Sequence, residues 1–129
     1  YSMVREKEKL LELYNESSIF LFPSFCESFG LVVAEAMSCG CAVVTGPTGF
    51  AANLKHSCEA IVLETPNGPA VYEAVRTLIF NPEQCRKLRH RGRQRVEILK
   101  WQKYTERLEA ILAAMLKEHL PVTPANTHI

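Results

Sequence analysis

Residues 20–41 read FLFPSFCESFGLVVAEAMSCGC, and this stretch decides the fold. The apolar run Ile19–Phe22 shows no polar alternation, which predicts a strand buried on both faces in a parallel sheet. Pro23 cannot donate a ladder hydrogen bond and ends the strand. Residues 30–38 are mostly apolar and predict a helix, which Gly40 terminates in the left-handed conformation. The stretch therefore predicts a strand–loop–helix unit.

The rest of the chain repeats this alternation of strand and helix. Turn residues bound the apolar segments that predict further strands, and apolar periodicity predicts further helices. The predicted strands are 41–45 and 59–63; the predicted helices are 6–14, 70–79, a segment that starts at the N-cap Asn81, and 101–119, with one or two turns at 50–55. This order predicts an α/β fold, a partial doubly wound, Rossmann-like parallel sheet of about three strands with flanking helices. We expect one domain at 1–120 and a disordered tail at 121–129.

Composition excludes several classes of site and says little about partners. All 14 acidic residues are Glu, which argues against metal sites built on Asp. The five cysteines are odd in number and lack zinc-finger spacing, so we expect free thiols in a reducing, cytoplasmic compartment. The net charge of +1 favours neither nucleic acid nor a membrane. A first residue other than Met leads us to expect a fragment.

Two carboxylates flank the predicted loop and helix start. The backbone N–H groups and dipole at a helix N-terminus suit a phosphate, and Gly30 would let a ligand approach closely. Glu35, one turn into the helix, could accept from a sugar attached to that phosphate, and Glu27 from hydroxyls at the far end. A nucleotide-sugar fits this arrangement. Alternatively, Glu27 is a solvated charge near the helix dipole, and Glu35 with Ser38 marks the solvent side of the helix.

Several linked motifs resemble one enzyme family. They are Phe22-Pro23-Ser24, Glu27-Ser28-Phe29-Gly30-Leu31, Glu35-Ala36-Met37, Cys39-Gly40 and Val43-Val44-Thr45. Their order and spacing resemble the C-terminal domain of the family 4 retaining glycosyltransferases, which have the GT-B fold and a signature of two Glu with seven residues between. The resemblance extends in order to about His119.

The resemblance implies a role for each matching residue. Glu35 would hold the ribose hydroxyls of a UDP- or GDP-sugar, and Glu27, the catalytic candidate, would lie at the transferred sugar. Backbone groups of Phe29, Gly30 and Leu31 would contact sugar and phosphate. No cofactor and no obligatory metal is implied. The family's diphosphate-binding Arg and Lys, and the N-terminal domain for a saccharide or lipid-linked acceptor, lie outside this chain, so we expect it to be inactive alone.

Other features leave alternatives open. Residues Thr48–Ala52 depart from the family's Gly-Gly-x-Pro-Glu loop, so a non-catalytic α/β interaction module remains the second hypothesis. The Arg-rich run 86–95 lacks aromatic residues for stacking on bases, which argues against nucleic acid. A solvated helix face explains it best, with contact to a membrane surface next, so a peripheral place at the inner face of a membrane stays open. An unpaired strand edge and the apolar stripe of the last helix predict a homo-oligomer.

Overall fold

The computed structural model describes residues 6–119, so the predicted tail at 121–129 lies outside the described residues. The chain divides into two compact units, one that ends at Glu97 and one that begins at Ile98. The helices are α1 (Lys7–Glu16), α2 (Leu31–Ser38), α3 (Gly68–Phe80), α4 (Pro82–Val96) and α5 (Trp101–His119); the strands are β1 (Ile19–Phe22), β2 (Ala42–Thr45) and β3 (Ile61–Val62); two 3-10 helices cover Gly49–Asn53 and Glu97–Leu99. The predicted domain boundaries, 1–120, stay a prediction.

The sheet has the order β1-β2-β3, and both strand pairs are parallel. Phe20 is the register partner of Val43, and Val44 is the partner of Ile61. This confirms the predicted α/β class with a three-stranded parallel sheet. All four residues of β2 are buried, as expected for the central strand.

The prediction that β1 is buried on both faces was wrong. Its residues are only partly buried, and Leu21 is 44% exposed. The reason is position, because β1 is an edge strand among the described residues and therefore lacks a neighbour on one side. An apolar run without alternation thus predicts a strand of this sheet, but it does not predict whether both faces of that strand are buried.

The core of the first unit forms where α2, α3 and α4 pack on β2. The inward-facing residues of α4 are buried. These residues are Cys85, Leu88, Gly92 and Val96. A Cβ on Gly92 would lie 3.1 Å from both the Glu59 carbonyl oxygen and Met37 Cε, so α4 packs closely at this glycine. Asn81 caps α4 as predicted, because its Oδ1 accepts from Gln84 N at 3.0 Å.

Three local predictions needed correction. The third strand is limited to Ile61–Val62, because the preceding segment turns through Ser57, which has a φ of 57°. The helical turns after β2 are a 3-10 helix that already begins at Gly49. Gly30 is the N-cap of α2 and not its first residue, and it is left-handed, with φ 73° and ψ 49°.

The second unit contains α5, which carries an apolar face. Its large apolar side chains are each about half exposed; they are Tyr104, Leu108, Ile111, Leu112, Met115 and Leu116. None of the helices within residues 6–119 combines the length and the apolar content needed to cross a bilayer.

Candidate functional site

The loop of residues 23–30, here called the Glu27 loop, follows the carboxyl end of β1. Ligands of open parallel sheets bind at this end of the strands. Phe22 O at the end of β1 accepts from Ser24 N at 2.8 Å and from Gly46 N at 3.3 Å. A Cβ on Gly46 would lie 1.9 Å from the Ser24 carbonyl oxygen. The start of the loop is therefore pressed directly on the backbone that follows β2.

The other end of the loop is held by the 3-10 helix. Phe50 N donates to Phe29 O at 2.6 Å, and the two rings stack with centroids 6.0 Å apart. Gly49 has a φ of 57°, and a Cβ there would lie 2.5 Å from Phe29 O. The Phe29 carbonyl is thus held by the protein, and the 3-10 helix fixes the end of the loop that precedes α2.

The N-terminus of α2 has no side-chain cap. Its N-cap is Gly30, which has no side chain to accept from the first N–H groups, and Val33 N donates to Gly30 O at 3.0 Å. Leu31, the first helical residue, is 63% exposed. Uncapped N–H groups together with the positive end of the helix dipole favour an anion at this position.

Glu27 is half-buried within the loop and lies near one side-chain donor. Ser24 Oγ is 3.5 Å from Glu27 Oε1 but only 3.1 Å from the carbonyl oxygen of Cys26. A serine hydroxyl has one proton to donate, and the shorter contact is with the carbonyl. The Glu27 carboxylate is thus free to accept hydrogen bonds from a ligand.

Glu35 is exposed on α2, where Tyr14 of α1 reaches it. Tyr14 Oη donates to Glu35 Oε2 at 3.5 Å, the outer limit for a hydrogen bond. Burial first, and then the nearby Glu35 carboxylate, raise the pKa of Tyr14 to about 12. The sequence placed Tyr14 only at the end of the first predicted helix, 6–14. A sign that Tyr14 contacts a polar residue was available in principle, because the hydroxyl of a buried tyrosine normally needs a hydrogen-bond partner.

Arg95 of α4 is the second contributor that the sequence did not reveal. Its guanidinium lies 5.5 Å from the centroid of the Phe50 ring, and its Nε is 3.6 Å from Glu59 Oε2. Arg95 therefore stabilises Phe50, and Phe50 in turn holds Phe29. Glu59 Oε2 also accepts from Lys55 N at 2.9 Å, so this carboxylate has two partners. The cation is engaged within the protein and is not offered to a diphosphate.

The five predicted site residues, Glu27, Phe29, Gly30, Leu31 and Glu35, lie together along the loop and the first turns of α2. The two carboxylates share no partner, since one contacts its own loop and the other contacts α1. Their roles toward a ligand stay predictions.

The altered segment Thr48–Ala52 packs inward. Phe50 is 6% exposed and Ala51 is 1% exposed, so both contribute to the core. Ala52, which stands where the family's loop has its carboxylate, is exposed and has no side-chain acceptor. This changes the surface available to a ligand beside the Glu27 loop.

Within the part of the chain that the structure describes, the cysteines and histidines do not assemble a further site. All five thiols are free, and burial first raises the pKa of Cys41, whose Sγ donates to Tyr14 O at 3.2 Å. His56 is exposed, with Nδ1 2.9 Å from Val62 O. Within residues 6–119, no three Cys, His or Glu side chains are grouped so that they could hold a metal ion.

Curated relatives of this chain are glycosyltransferases. The chain is 30% identical over 110 residues to a D-inositol 3-phosphate glycosyltransferase of Catenulispora acidiphila, covering 84% of this chain and 26% of the relative. It is 30% identical over 113 residues to a GDP-mannose-dependent alpha-(1-6)-phosphatidylinositol dimannoside mannosyltransferase of Mycobacterium tuberculosis, covering 87% and 29%. The chain thus spans less than a third of the length of these relatives.

Solved structures share the fold, and a family model matches the sequence. Sucrose-phosphate synthase from Thermosynechococcus elongatus superposes with a TM-score of 0.72 at 25% identity, covering 86% of this chain and 28% of that one. Anabaena Alr3699/HepE, solved with UDP, superposes with a TM-score of 0.69 at 19% identity, covering 80% and 29%. Residues 3–95 match the model of the family described as Glycosyl transferases group 1. The chain therefore belongs to the group 1 family of glycosyltransferases.

Proposed function

We propose that this chain provides the donor side of a retaining glycosyltransferase and binds a UDP- or GDP-sugar at the Glu27 loop. The observation that carries the proposal is the N-terminus of α2, whose N–H groups have no side-chain cap because the N-cap is the left-handed Gly30. Glu27 and Glu35, two accessible carboxylates, lie on either side of this N-terminus in the chain. This arrangement offers N–H donors to a diphosphate and acceptors to hydroxyls on either side of it.

In the proposed complex Glu35 accepts from the ribose hydroxyls and Glu27 accepts from hydroxyls of the transferred sugar. The N–H groups at Gly30 and Leu31 meet the phosphate. Negative charge develops on the diphosphate as the glycosidic bond breaks, and fixed N–H dipoles stabilise that charge without reorganisation. Neither a cofactor nor an obligatory metal is part of this proposal.

The names of the relatives support a nucleotide-sugar donor. One relative is GDP-mannose-dependent, and the Anabaena protein was solved with UDP and, in another structure, with UDP-glucose. We propose that the acceptor is a saccharide or a lipid-linked saccharide, held by a domain outside this chain, and that the chain alone does not catalyse transfer. The proposed location is cytoplasmic, at the inner face of a membrane.

Titration of UDP and GDP by calorimetry tests the assignment of Glu35. We expect Glu35→Ala to weaken binding of the preferred nucleotide about tenfold, because two hydroxyl hydrogen bonds to a carboxylate are lost. Glu73→Ala is the matched control, since Glu73 is also an exposed helical glutamate but lies on α3. Equal affinities for the wild type and Glu35→Ala would remove Glu35 from the site.

Comparison of a nucleotide with its nucleotide-sugar tests Glu27. We expect Glu27→Ala to leave the affinity for UDP or GDP unchanged and to weaken the matching nucleotide-sugar, because only the latter has the hydroxyls that Glu27 accepts from. Equal loss for both ligands would contradict the assignment. If neither nucleotide binds the wild-type chain, the non-catalytic interaction module becomes the better account of the fold.

A further inference from the structure

A basic pocket lies at the amino end of the sheet, away from the Glu27 loop. Its volume is about 270 Å³, and its lining residues are Gly40, Arg86, Arg89, His90 and Arg93. Gly40 shortly precedes β2, whereas the Glu27 loop follows β1, and β1 and β2 are parallel. The eight residues of α2, about 12 Å of helix, separate the loop from Gly40. The basic pocket is therefore not part of the proposed donor site.

The side chains of the basic pocket form one stripe of α4. Their positions, 86, 89, 90 and 93, are three and four residues apart, which brings them onto the same face of the helix. Like charges at these spacings repel one another and weaken the helix. An external anion bound between them would relieve this repulsion.

The arginines of the basic pocket differ from Lys87 in their ion pairing. Among the ion pairs that the structure shows within residues 6–119, none includes Arg86, Arg89 or Arg93. Lys87 on the same helix, in contrast, pairs with Glu83 at 2.6 Å. Three cations of α4 for which the described residues show no ion pair therefore line the basic pocket together.

Arg89 is fixed at the wall of the basic pocket. Its Nε donates to Gly40 O at 2.5 Å, which also satisfies a carbonyl just beyond the C-terminus of α2. This contact gives Arg89 a structural role, but it does not account for Arg86 and Arg93, which are exposed. A merely solvated helix face explains each exposed arginine by itself; it does not account for the surface pocket that Arg86 and Arg93 line together with the fixed Arg89.

We propose that the basic pocket binds a phosphate group, either on the headgroup of an anionic phospholipid or on a soluble phosphate compound. Guanidinium groups donate two parallel hydrogen bonds to phosphate oxygens, and arginine is the residue best suited to this geometry. A fixed Arg89 with Arg86 and Arg93 on either side along the helix would present several such forks to one phosphate. This site goes beyond the donor function and does not depend on it.

Two probes distinguish the sources of phosphate: pyrophosphate in a calorimetric titration, and flotation with phosphatidylcholine vesicles with and without phosphatidic acid. We expect the double variant Arg86→Ala/Arg93→Ala to lose at least about tenfold in affinity for the probe that binds. Lys87→Ala/Arg91→Ala removes the same charge from the same helix outside the pocket and should lose less than about threefold. The pocket variant itself separates this site from the Glu27 loop, because pyrophosphate bound at the N-terminus of α2 would not be lost with Arg86 and Arg93.

Each outcome has a defined meaning. Saturable pyrophosphate binding that only the pocket variant loses supports a soluble phosphate, and vesicle binding alone, lost in the same way, supports a lipid headgroup. Equal losses in both double variants would show unspecific attraction and overturn the proposal, as would failure of both probes to bind the wild type. All four substituted positions are exposed and helical, where alanine favours folding, and Arg86→Lys/Arg93→Lys should lose an intermediate amount because it keeps charge without the fork.

Discussion

Gly46→Ala is expected to be strongly destabilising, because Gly46 leaves no room for a side chain. The added Cβ would lie 1.9 Å from the Ser24 carbonyl oxygen, whereas real contacts of this kind are not shorter than 3.0 Å. The start of the Glu27 loop would have to retreat by at least about 1.1 Å, the difference between these two distances. The obstacle is backbone, which cannot rotate away as a flexible side chain can.

The magnitude follows from packing and hydrogen bonding. Overpacking of this kind costs typically 1–3 kcal/mol, so about 2 kcal/mol is a central value. The retreat would also weaken the hydrogen bonds that Ser24 N and Gly46 N donate to Phe22 O, at about 1 kcal/mol together. We therefore expect the free energy of unfolding to fall by about 3 kcal/mol.

Two other glycines provide matched controls. Gly40 has a φ of 83° but open space around its Cβ position, so Gly40→Ala tests backbone conformation alone and should cost about 1 kcal/mol. Gly68, the first residue of α3, has no positive φ and no non-adjacent neighbour within 4 Å, but it precedes Pro69, which disfavours a helical residue with a Cβ, so Gly68→Ala should cost less than about 1 kcal/mol. The three variants add the same atom to three different environments.

Urea unfolding followed by circular dichroism measures all three. For Gly46→Ala we expect the midpoint to fall by roughly 1–2 M at an unchanged m-value. If Gly46→Ala were no less stable than Gly68→Ala, the loop would not be pressed on the end of β2. If Gly40→Ala lost as much as Gly46→Ala, conformation and not space would decide these positions.

Three further predictions concern other contacts. The folded pKa of Tyr14, about 12, exceeds its ordinary value of 10.0, so the neutral phenol stabilises the folded state. The difference in unfolding free energy between the wild type and Tyr14→Phe should therefore stay constant below pH 10, and the wild type should lose about 1–2 kcal/mol relative to the variant as the pH rises from about 10 to 12. Unfolding free energies that depend on pH in the same way for both proteins across this range would contradict this. A double-mutant cycle with Arg95→Met and Glu59→Gln should give a coupling energy of about 1 kcal/mol, since both side chains are mostly buried. A coupling energy of zero would mean that the two side chains contribute packing but no electrostatic attraction. Sedimentation should show self-association that Leu108→Lys/Leu112→Lys reduces, because both side chains are about half exposed; a monomer at high concentration would refute this.

The sequence predicted the elements of the fold because their signals are local. Alternation of apolar strands and periodic helices, with Asn81 as an N-cap, was sufficient for the α/β class and the parallel sheet. The error at the third strand was also local in origin. Glu59 accepts from Lys55 N, and Ser57 has a positive φ, so turn chemistry shortens a segment whose apolar residues resemble a longer strand.

The partners of the site residues could not be predicted, because they are distant in the chain. Tyr14 and Glu35 are 21 positions apart, and no periodicity connects α1 with α2. Arg95 reaches Phe50 from the end of α4, a contact that depends on how α4 packs on the sheet. Positions of the carboxylates follow from a motif, whereas the contacts that orient them follow from tertiary packing.

The two attachments of the Glu27 loop bear on how chimaeras of such proteins can be built. Ser24 is pressed on Gly46, and Phe29 accepts from Phe50 N, so residues 23–30 and 46–50 hold the two halves of each contact. A crossover point between residues 30 and 46 would combine a loop from one parent with its support from another. Segments exchanged as a block from 23 to 50 keep both contacts. Recombination libraries should therefore tolerate crossovers on either side of this block and lose folded members when the crossover falls inside it.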